Sequence, residues 1–254
     1  MAAPLPRPRT PPGTGLQRLG AGVLAAGTTR LAAVKQLADG LYQLAGFPPN
    51  GINVYLMGDV IIDAATRHAS RRILRQVDGH EVRAHALTHV HPDHQGSSKT
   101  ICDTLGVPLW VGERDVAAME DGDIRSRQPD HWVNRIIDRS WSGPPRRVDR
   151  ALHEGDEVAG FQVLEVPGHS DGHVAYWRES DRALVLGDVL NGMHLATGLP
   201  GLHEPPRIFT PDPARNRESA RRLAALEPAL ICFGHGAPLR DTAKFVAFVE
   251  ALPA

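Results

Sequence analysis

The chain has 254 residues, of which 42% are hydrophobic and only 5% aromatic, so aliphatic side chains must fill the core of one large domain or two small ones. Its 28 basic and 29 acidic residues leave a net charge of −1, which gives no electrostatic footprint for nucleic acid or an anionic membrane. Two cysteines exclude a disulfide framework, and we predict that Cys102 and Cys232 are buried free thiols.

The first 33 residues differ in composition from the rest. Five prolines lie within the first twelve residues, and the first acidic residue is Asp39. Such a stretch buries too little apolar surface to offset the entropy of ordering it, so we predict a disordered extension over 1–33 and a single domain over 34–254. No apolar run approaches the ~18 residues needed to span a bilayer, and no clean secretion signal precedes the domain. We therefore expect a cytoplasmic protein without a membrane partner.

Strands and helices alternate from residue 34 onward. Apolar runs on both sides of Gly58-Asp59 predict a β-hairpin. Thr66 is expected to cap the helix that follows. Pro92 suits the first turn of a second helix, which we predict to run to Gly106. Further strands are predicted over residues 82–88, 107–111, 161–166, 174–177, 183–186 and 230–233.

Three more helices are predicted in the second half of the chain. The helical spacing of Trp132, Val133, Ile136 and Ile137 predicts the first. We expect Trp132 and Trp141 to pack in the core, with a place in the wall of the pocket as the alternative. The other two begin after Asp212 and Asp241. Many strands with helices between them indicate a layered domain of the α/β or α+β class.

Four of the predicted strands end at a potential metal ligand. These residues are His89, His169, Asp188 and His235, and the last three each follow a glycine directly. The carboxyl ends of neighbouring strands converge on one edge of a sheet, where open α/β folds place their ligands. Glycine lets the backbone turn and approach such a site closely.

The run His89-Val90-His91-Pro92-Asp93-His94 is the densest part of this pattern. Alternation in an extended segment puts His89 and His91 on the same side. Pro92 then turns the chain into a helix, which brings Asp93 and His94 toward the same cavity. Imidazole and carboxylate ligands suit Zn²⁺, Mn²⁺ or Fe²⁺ better than Ca²⁺ or Mg²⁺, which prefer oxygen ligands.

These motifs resemble those of the metallo-β-lactamase superfamily. Residues 89–94 look like its H-x-H-x-D-H signature, and residues 168–173, 187–188 and 234–236 look like its later motifs in the same order. The resemblance extends over roughly residues 36–240. It implies a four-layer αββα sandwich whose site lies along one edge of two sheets.

The resemblance also implies two Zn²⁺ ions per chain, with Mn²⁺ or Fe²⁺ as alternatives. A hydroxide that bridges the metals would attack an acyl carbonyl, since a metal lowers the pKa of water to about 7. Asp93 would act as the catalytic residue that orients this nucleophile and shuttles its proton. In the implied ligand set three residues hold the first ion, three hold the second and one bridges them: His89, His91 and His169; Asp93, His94 and His235; and Asp188.

The implied function is hydrolysis of a small ester, thioester or lactone, with the glyoxalase II-like branch as the nearest resemblance. Glyoxalase II carries a further C-terminal helical region that binds glutathione, whereas about 19 residues follow His235 here. Acyl-homoserine lactonases commonly have a tyrosine three residues after the bridging aspartate, where this chain has Asn191. The alternatives are a mono-iron persulfide dioxygenase, a β-lactamase, a phosphodiesterase and a non-catalytic module that has kept the fold.

The segment after the bridging aspartate, residues 191–211, is rich in glycine and proline. A long ordered loop there would overhang the metals, and such loops carry substrate contacts. We predict that Asn191 and His194 contact a small-molecule substrate, for which the residual positive charge of the site favours an anion. The role of His173, as a brace or a ligand, stays open.

Overall fold

The computed structural model describes residues 34–253, without the side chains of residues 126 and 127. The extension predicted over residues 1–33 lies outside the described residues, so both it and the domain boundary stay predictions. The strands are β1 (Lys35–Ala38), β2 (Leu41–Leu44), β3 (Val54–Met57), β4 (Val60–Ile62), β5 (Ala84–Ala86), β6 (Leu109–Gly112), β7 (Arg150–Leu152), β8 (Glu157–Val158), β9 (Phe161–Glu165), β10 (Val174–Arg178), β11 (Ala183–Gly187), β12 (Asn191–Met193), β13 (Pro200–His203) and β14 (Leu230–Phe233). The helices are α1 (Ser70–Val77), α2 (Pro92–Gln95), α3 (Ser98–Leu105), α4 (Val116–Asp121), α5 (Trp132–Trp141), α6 (Pro213–Ala224) and α7 (Thr242–Glu250).

Two sheets organise the fold. The first contains β1 to β7 in chain order, with antiparallel pairing from β1 to β4 and parallel pairing from β4 to β7. The second has the order β14-β11-β10-β9-β8, in which β14 and β11 are parallel. Strands β12 and β13 form a separate hairpin.

Both faces of each sheet are covered, which explains the nearly continuous apolar runs of the strands. Alternate residues point to opposite faces, so Tyr55 and Val185 pack in the core between the sheets. Their neighbours Leu56 and Leu186 face outward, toward α1 and toward α6 and α7 respectively. Helix α3 contributes to the outer side of the first sheet. The resulting αββα sandwich confirms the predicted fold class.

The hairpin at Gly58-Asp59 is confirmed as β3 and β4, but the predicted cap of α1 is wrong. Helix α1 begins at Ser70 and has no side-chain cap. Thr66 instead lies in a turn, where its carbonyl oxygen accepts hydrogen bonds from Ala69 N and Ser97 Oγ.

The helix predicted from Pro92 to Gly106 is two helices, α2 and α3. The break coincides with close packing at Gly96, where an added Cβ would lie 2.4 Å from Arg67 N and 2.5 Å from Trp141 O. Pro92 occupies the first turn of α2 as expected, and Gly106 ends α3 in the left-handed conformation with a φ of 68°. Only tertiary neighbours fix the interruption between them.

Helix α5 forms where it is predicted, but its apolar side chains do not enter the core. Trp132 is 65% exposed and Ile136 is 55% exposed, so the expectation that Trp132 packs in the core is wrong. Asn134 is the one residue of α5 that is fully buried. Helices α6 and α7 begin as predicted, since the carboxylates of Asp212 and Asp241 cap their first turns.

Cys102 and Cys232 are buried free thiols, as predicted. None of the helices in the described part of the chain has the length and apolarity that crossing a bilayer would require.

His85 is a buried histidine that ties β5 to its neighbours. Its Nδ1 donates to Ile61 O at 3.0 Å, and its Nε2 accepts from Ser98 Oγ at 2.8 Å. Burial lowers the pKa of His85 from 6.5 to about 4. The unfolded state therefore binds a proton that the folded state resists, and stability present above pH 6.5 is lost as the pH falls toward 4.

We expect the His85→Asn variant to lose less free energy of unfolding than the wild type as the pH falls, because it lacks the buried imidazole. The difference in the free energy of unfolding between wild type and variant, measured by urea unfolding, should shrink by about 2 kcal/mol when the pH is lowered from 7.5 to 5. The matched control is His80→Asn, because His80 is exposed. If the difference between wild type and His85→Asn does not change with pH, the buried His85 imidazole is not a cause of the loss of stability in acid.

Candidate metal centre and cavity

The predicted ligands lie where strands of the two sheets end. Strands β9, β11 and β14 run in the same direction, so His169, Asp188 and His235 leave the second sheet at one edge. His89 follows β5 of the first sheet, and β5 is parallel to β4. The sandwich therefore gathers groups that are far apart in sequence.

All seven predicted ligands come together in buried or half-buried positions. Their donor atoms form three overlapping groups, within each of which the atoms lie within 4.8 Å of one another. The groups are His89, His91 and His169; His89, His94 and Asp188; and Asp93, His94 and His235.

Asp188 lies between the two outer groups. Its Oδ2 is 3.1 Å from His235 Nε2, 3.5 Å from His94 Nε2 and 3.7 Å from His169 Nε2. One carboxylate is thus within reach of both sets of imidazoles. On the other side of His235, Asp93 Oδ2 lies 3.2 Å from the same Nε2 atom.

Asp63, which follows β4, holds two of the imidazoles in place. Its carboxylate accepts a hydrogen bond from His94 Nδ1 at 2.9 Å and from the Thr88 hydroxyl at 2.9 Å. The Thr88 oxygen in turn accepts from His89 Nδ1 at 3.1 Å. A hydrogen bond at Nδ1 fixes the ring and leaves Nε2 as the donor atom toward the cluster.

The other sheet uses the same device for its histidines. His169 Nδ1 donates to the Thr210 hydroxyl at 3.1 Å, and this hydroxyl donates to Pro206 O at 3.1 Å. His235 Nδ1 donates to Gly51 O at 2.5 Å. Four of the five imidazoles therefore present Nε2 to the cluster through a hydrogen bond on the far side of the ring.

Several features of this cluster fit a divalent cation. His89 Nε2 and Asp188 Oδ1 are buried and have no hydrogen-bond partner among the described residues. A Cβ at Gly234 would lie 2.0 Å from Asp188 Oδ1, so only glycine permits this approach. Neutral imidazoles and carboxylates are ligands that zinc, manganese and iron accept.

The electrostatics of the cluster lead to the same conclusion. Burial opposes protonation of His94 and His235, but the charge of Asp188 outweighs it and raises the pKa of both, that of His235 to about 10. Burial, and then the neighbouring imidazoles, lower the pKa of His89 and His169. Asp188 therefore attracts positive charge to His94 and His235, whereas burial keeps His89 and His169 neutral and able to bind a cation through Nε2.

His173 and Asp115 brace the loop that carries His169. His173 lies outside the three ligand groups, and its Nε2 accepts from the backbone N–H of Asp188 at 3.4 Å. Asp115 accepts from the Ser170 hydroxyl at 2.9 Å and from Gly172 N at 3.1 Å. The hydrogen bond to Asp188 identifies His173 as a brace.

Five of the seven predicted ligands line a cavity of about 1160 Å³: His91, Asp93, His169, Asp188 and His235. The two predicted substrate contacts, Asn191 and His194, both line it, and so does Trp141. Asn191 is fully buried, whereas His194 is exposed and its Nδ1 lies 3.1 Å from Thr197 Oγ1. The expectation of core packing for Trp141 is therefore wrong: it faces the cavity.

Sequence reasoning missed most of the groups that orient the ligands. Asp63 had a readable signal, because it ends an apolar strand as Asp188 does. Thr210, Gly51 and Asp115 gave no signal, since each contacts the site across more than 20 residues of chain.

Comparisons with known proteins agree with this geometry. The chain matches the family model described as the metallo-beta-lactamase superfamily over residues 47–235. The probable metallo-hydrolase YflN of Bacillus subtilis is 30% identical, over 71% of this chain and 76% of that protein. A hydroxyacylglutathione hydrolase of Bdellovibrio bacteriovorus is 25% identical, over 60% of this chain and 48% of that protein.

A solved structure shares the fold. TTHA1623, in a di-iron-bound form, is 29% identical and superposes with a TM-score of 0.54, over 79% of this chain and 88% of that one. Family members of this kind hold divalent metal, and the buried histidines and aspartates described above are suited to it. Over a region that includes every predicted metal ligand, this chain belongs to the metallo-β-lactamase superfamily of metal-dependent hydrolases.

Proposed function

We propose that the chain is a binuclear metallo-hydrolase that cleaves an ester, thioester or lactone of a small molecule. The observation that carries the proposal is the pair of three-residue ligand groups on either side of the Asp188 carboxylate. His89, His91 and His169 would hold one ion, and Asp93, His94 and His235 the other. Zn²⁺ suits this mixture of nitrogen and oxygen donors, as do Mn²⁺ and Fe²⁺.

Divalent ions in such a site supply Lewis acidity, which polarises a carbonyl oxygen and lowers the pKa of water to about 7. Asp93 would accept a hydrogen bond from the nucleophilic water and hold its proton for the leaving group. Its carboxylate lines the cavity and stands at the first turn of α2, so it is fixed at the floor where the scissile bond would lie.

Asn191 is the residue we assign to the substrate carbonyl. Its amide is fully buried, lines the cavity, and has no hydrogen-bond partner on either polar atom among the described residues. A buried amide without partners costs stability, which a substrate that accepts from it would recover. We therefore propose that Asn191 Nδ2 donates to the carbonyl oxygen, whose charge grows during attack.

Thioesters belong to the proposed class partly because one relative is a hydroxyacylglutathione hydrolase. That match covers 48% of the relative, so its glutathione specificity is not carried over to this chain. A mono-iron oxygenase would need one ion on two histidines and one aspartate, a set that His89, His94 and Asp188 also offer. The di-iron neighbour makes iron worth testing as the metal.

Metal analysis of the purified protein tests the binuclear proposal. We expect about two divalent ions per chain by inductively coupled plasma mass spectrometry, because the seven donors suffice for two sites. Activity against aryl esters, thioesters, lactones, phosphodiesters and β-lactams should be screened on the same preparation. A single tightly bound iron with no hydrolysis would overturn the proposal in favour of the oxygenase.

We expect Asp93→Asn to lower kcat by about 10²- to 10⁴-fold, the range of general acid–base catalysis. The matched control is Asp171→Asn, since Asp171 is an exposed carboxylate outside the main cavity. Steady-state kinetics should be read beside the metal content of each variant. Unchanged kcat at full metal content would remove Asp93 from the mechanism.

We expect Asn191→Ala to lower kcat/KM by about 10²-fold while the free energy of unfolding stays equal or rises, because an unpartnered buried amide is removed. Asn216→Ala provides the contrast. The Asn216 amide donates to Val189 O at 2.9 Å, so its loss should reduce stability by about 1–3 kcal/mol. Kinetics and urea unfolding of both variants would measure this, and a stability loss at Asn191 without a kinetic effect would contradict the role.

A further inference from the structure

We infer that the cavity takes an extended apolar acyl chain, so that the substrates are esters, thioesters or lactones of medium- to long-chain acyl groups. The inference rests on the proposed hydrolase function and names the substrate class of that site. It follows from the composition of the walls above the metal ligands, from the charges on those walls, and from exposed aromatic surface at the mouth.

The first wall is the loop between β2 and β3. Phe47, Pro48 and Ile52 line the cavity there, and Phe47 is 92% exposed. The same loop continues to Gly51, whose carbonyl oxygen accepts the hydrogen bond from His235. An apolar group bound against Phe47 would therefore start beside the ligand cluster and would cover a ring that otherwise faces water.

The second wall is helix α5. Ile137 and Trp141, four residues apart and thus on one side of the helix, both line the cavity. Asn134 is the one fully buried residue of α5, so the apolar side chains of this helix face the cavity or solvent and do not enter the core. A helix of this kind is suited to cover a ligand.

The third wall is the segment after Asp188. Met193 and Leu195 come from the first strand and tip of the β12–β13 hairpin, and Ile208 and Phe209 come from the short helix that precedes α6. Asn134 joins this wall to α5, because its Nδ2 donates to Ile208 O at 2.6 Å. The two apolar walls are thereby held at a fixed separation.

The charged groups on the walls are engaged by the protein itself. Glu204 pairs with Arg217 at 2.6 Å, and the Arg72 guanidinium donates to Ala45 O. An occupant with several charges would have to compete for these groups, whereas a hydrocarbon chain leaves them paired. The volume of about 1160 Å³ also exceeds the ordinary range for small-ligand pockets, roughly 300–1000 Å³.

A series of p-nitrophenyl esters tests the inference on the protein with its metal bound. From butanoate to decanoate, kcat/KM should rise about three- to fourfold for each methylene that becomes buried, and at least about 10²-fold in total. Two variants should weaken the dependence of kcat/KM on acyl chain length. For Phe47→Ser and for Trp141→Ala, we expect the loss in kcat/KM to be about fivefold larger on decanoate than on butanoate.

Trp132→Ala is the matched control, because Trp132 belongs to the same helix but does not line the cavity. This variant should have the same kcat/KM as the wild type for every ester of the series. Phe47→Ser keeps the test valid if Trp141→Ala fails to fold, since Phe47 makes so little contact with the rest of the protein.

Calorimetric binding of the free acids gives a readout that does not depend on turnover. We expect decanoate to bind at least about 10²-fold more tightly than butanoate, and Phe47→Ser to weaken decanoate alone. If short esters are hydrolysed but neither kcat/KM nor binding depends on chain length, this inference is overturned. The hydrolase proposal then stays intact. Binding dependent on chain length without hydrolysis of any ester, thioester or lactone would support the cavity assignment and overturn the hydrolase proposal.

Discussion

The carboxylate of Asp188 is the group on which the site depends. It is buried at one edge of the sandwich, where three imidazoles approach its Oδ2 within 3.7 Å. Burying a carboxylate is costly unless positive charge or hydrogen bonds compensate it. The surrounding structure meets this demand with ligands that favour a divalent cation, so the electrostatic cost of the centre and its affinity for metal have the same origin.

Groups from both halves of the sandwich hold the imidazoles in place. Asp63 and Thr88, which come after β4 and β5 of the first sheet, orient His94 and His89. Thr210 belongs to the other half of the molecule and orients His169. Gly234 follows β14 of the second sheet, and a Cβ there would lie 2.7 Å from His94 Cε1, so only glycine lets the two halves meet this closely at the edge.

Chemistry and specificity occupy different elements. Four of the seven predicted metal ligands follow strands that pack in the hydrophobic core, whereas the walls of the cavity come from the loop after β2, from α5 and from the segment after Asp188. Such loops can change without disturbing the strand ends. This separation explains why a match to metallo-hydrolases identifies the reaction class while the walls carry the information on the substrate.

The sequence by itself determined eight of the fourteen strands in the described residues, most helices and the set of seven candidate ligands, whereas β1, β2, β7, β8, β12 and β13 were not predicted. Apolar runs that end at His89, His169, Asp188 and His235 are local patterns, and convergence at a sheet edge follows from strand direction. The break after Gln95, the exposure of Trp132 and the tether from Thr210 to His169 depended on the tertiary structure alone. The physical reason is that each arises from contacts between distant segments, whose distances no periodicity encodes. Helix α5 shows the difference most clearly: its spacing predicted the helix, but only packing decided that Ile137 and Trp141 face a cavity while Trp132 and Ile136 face solvent.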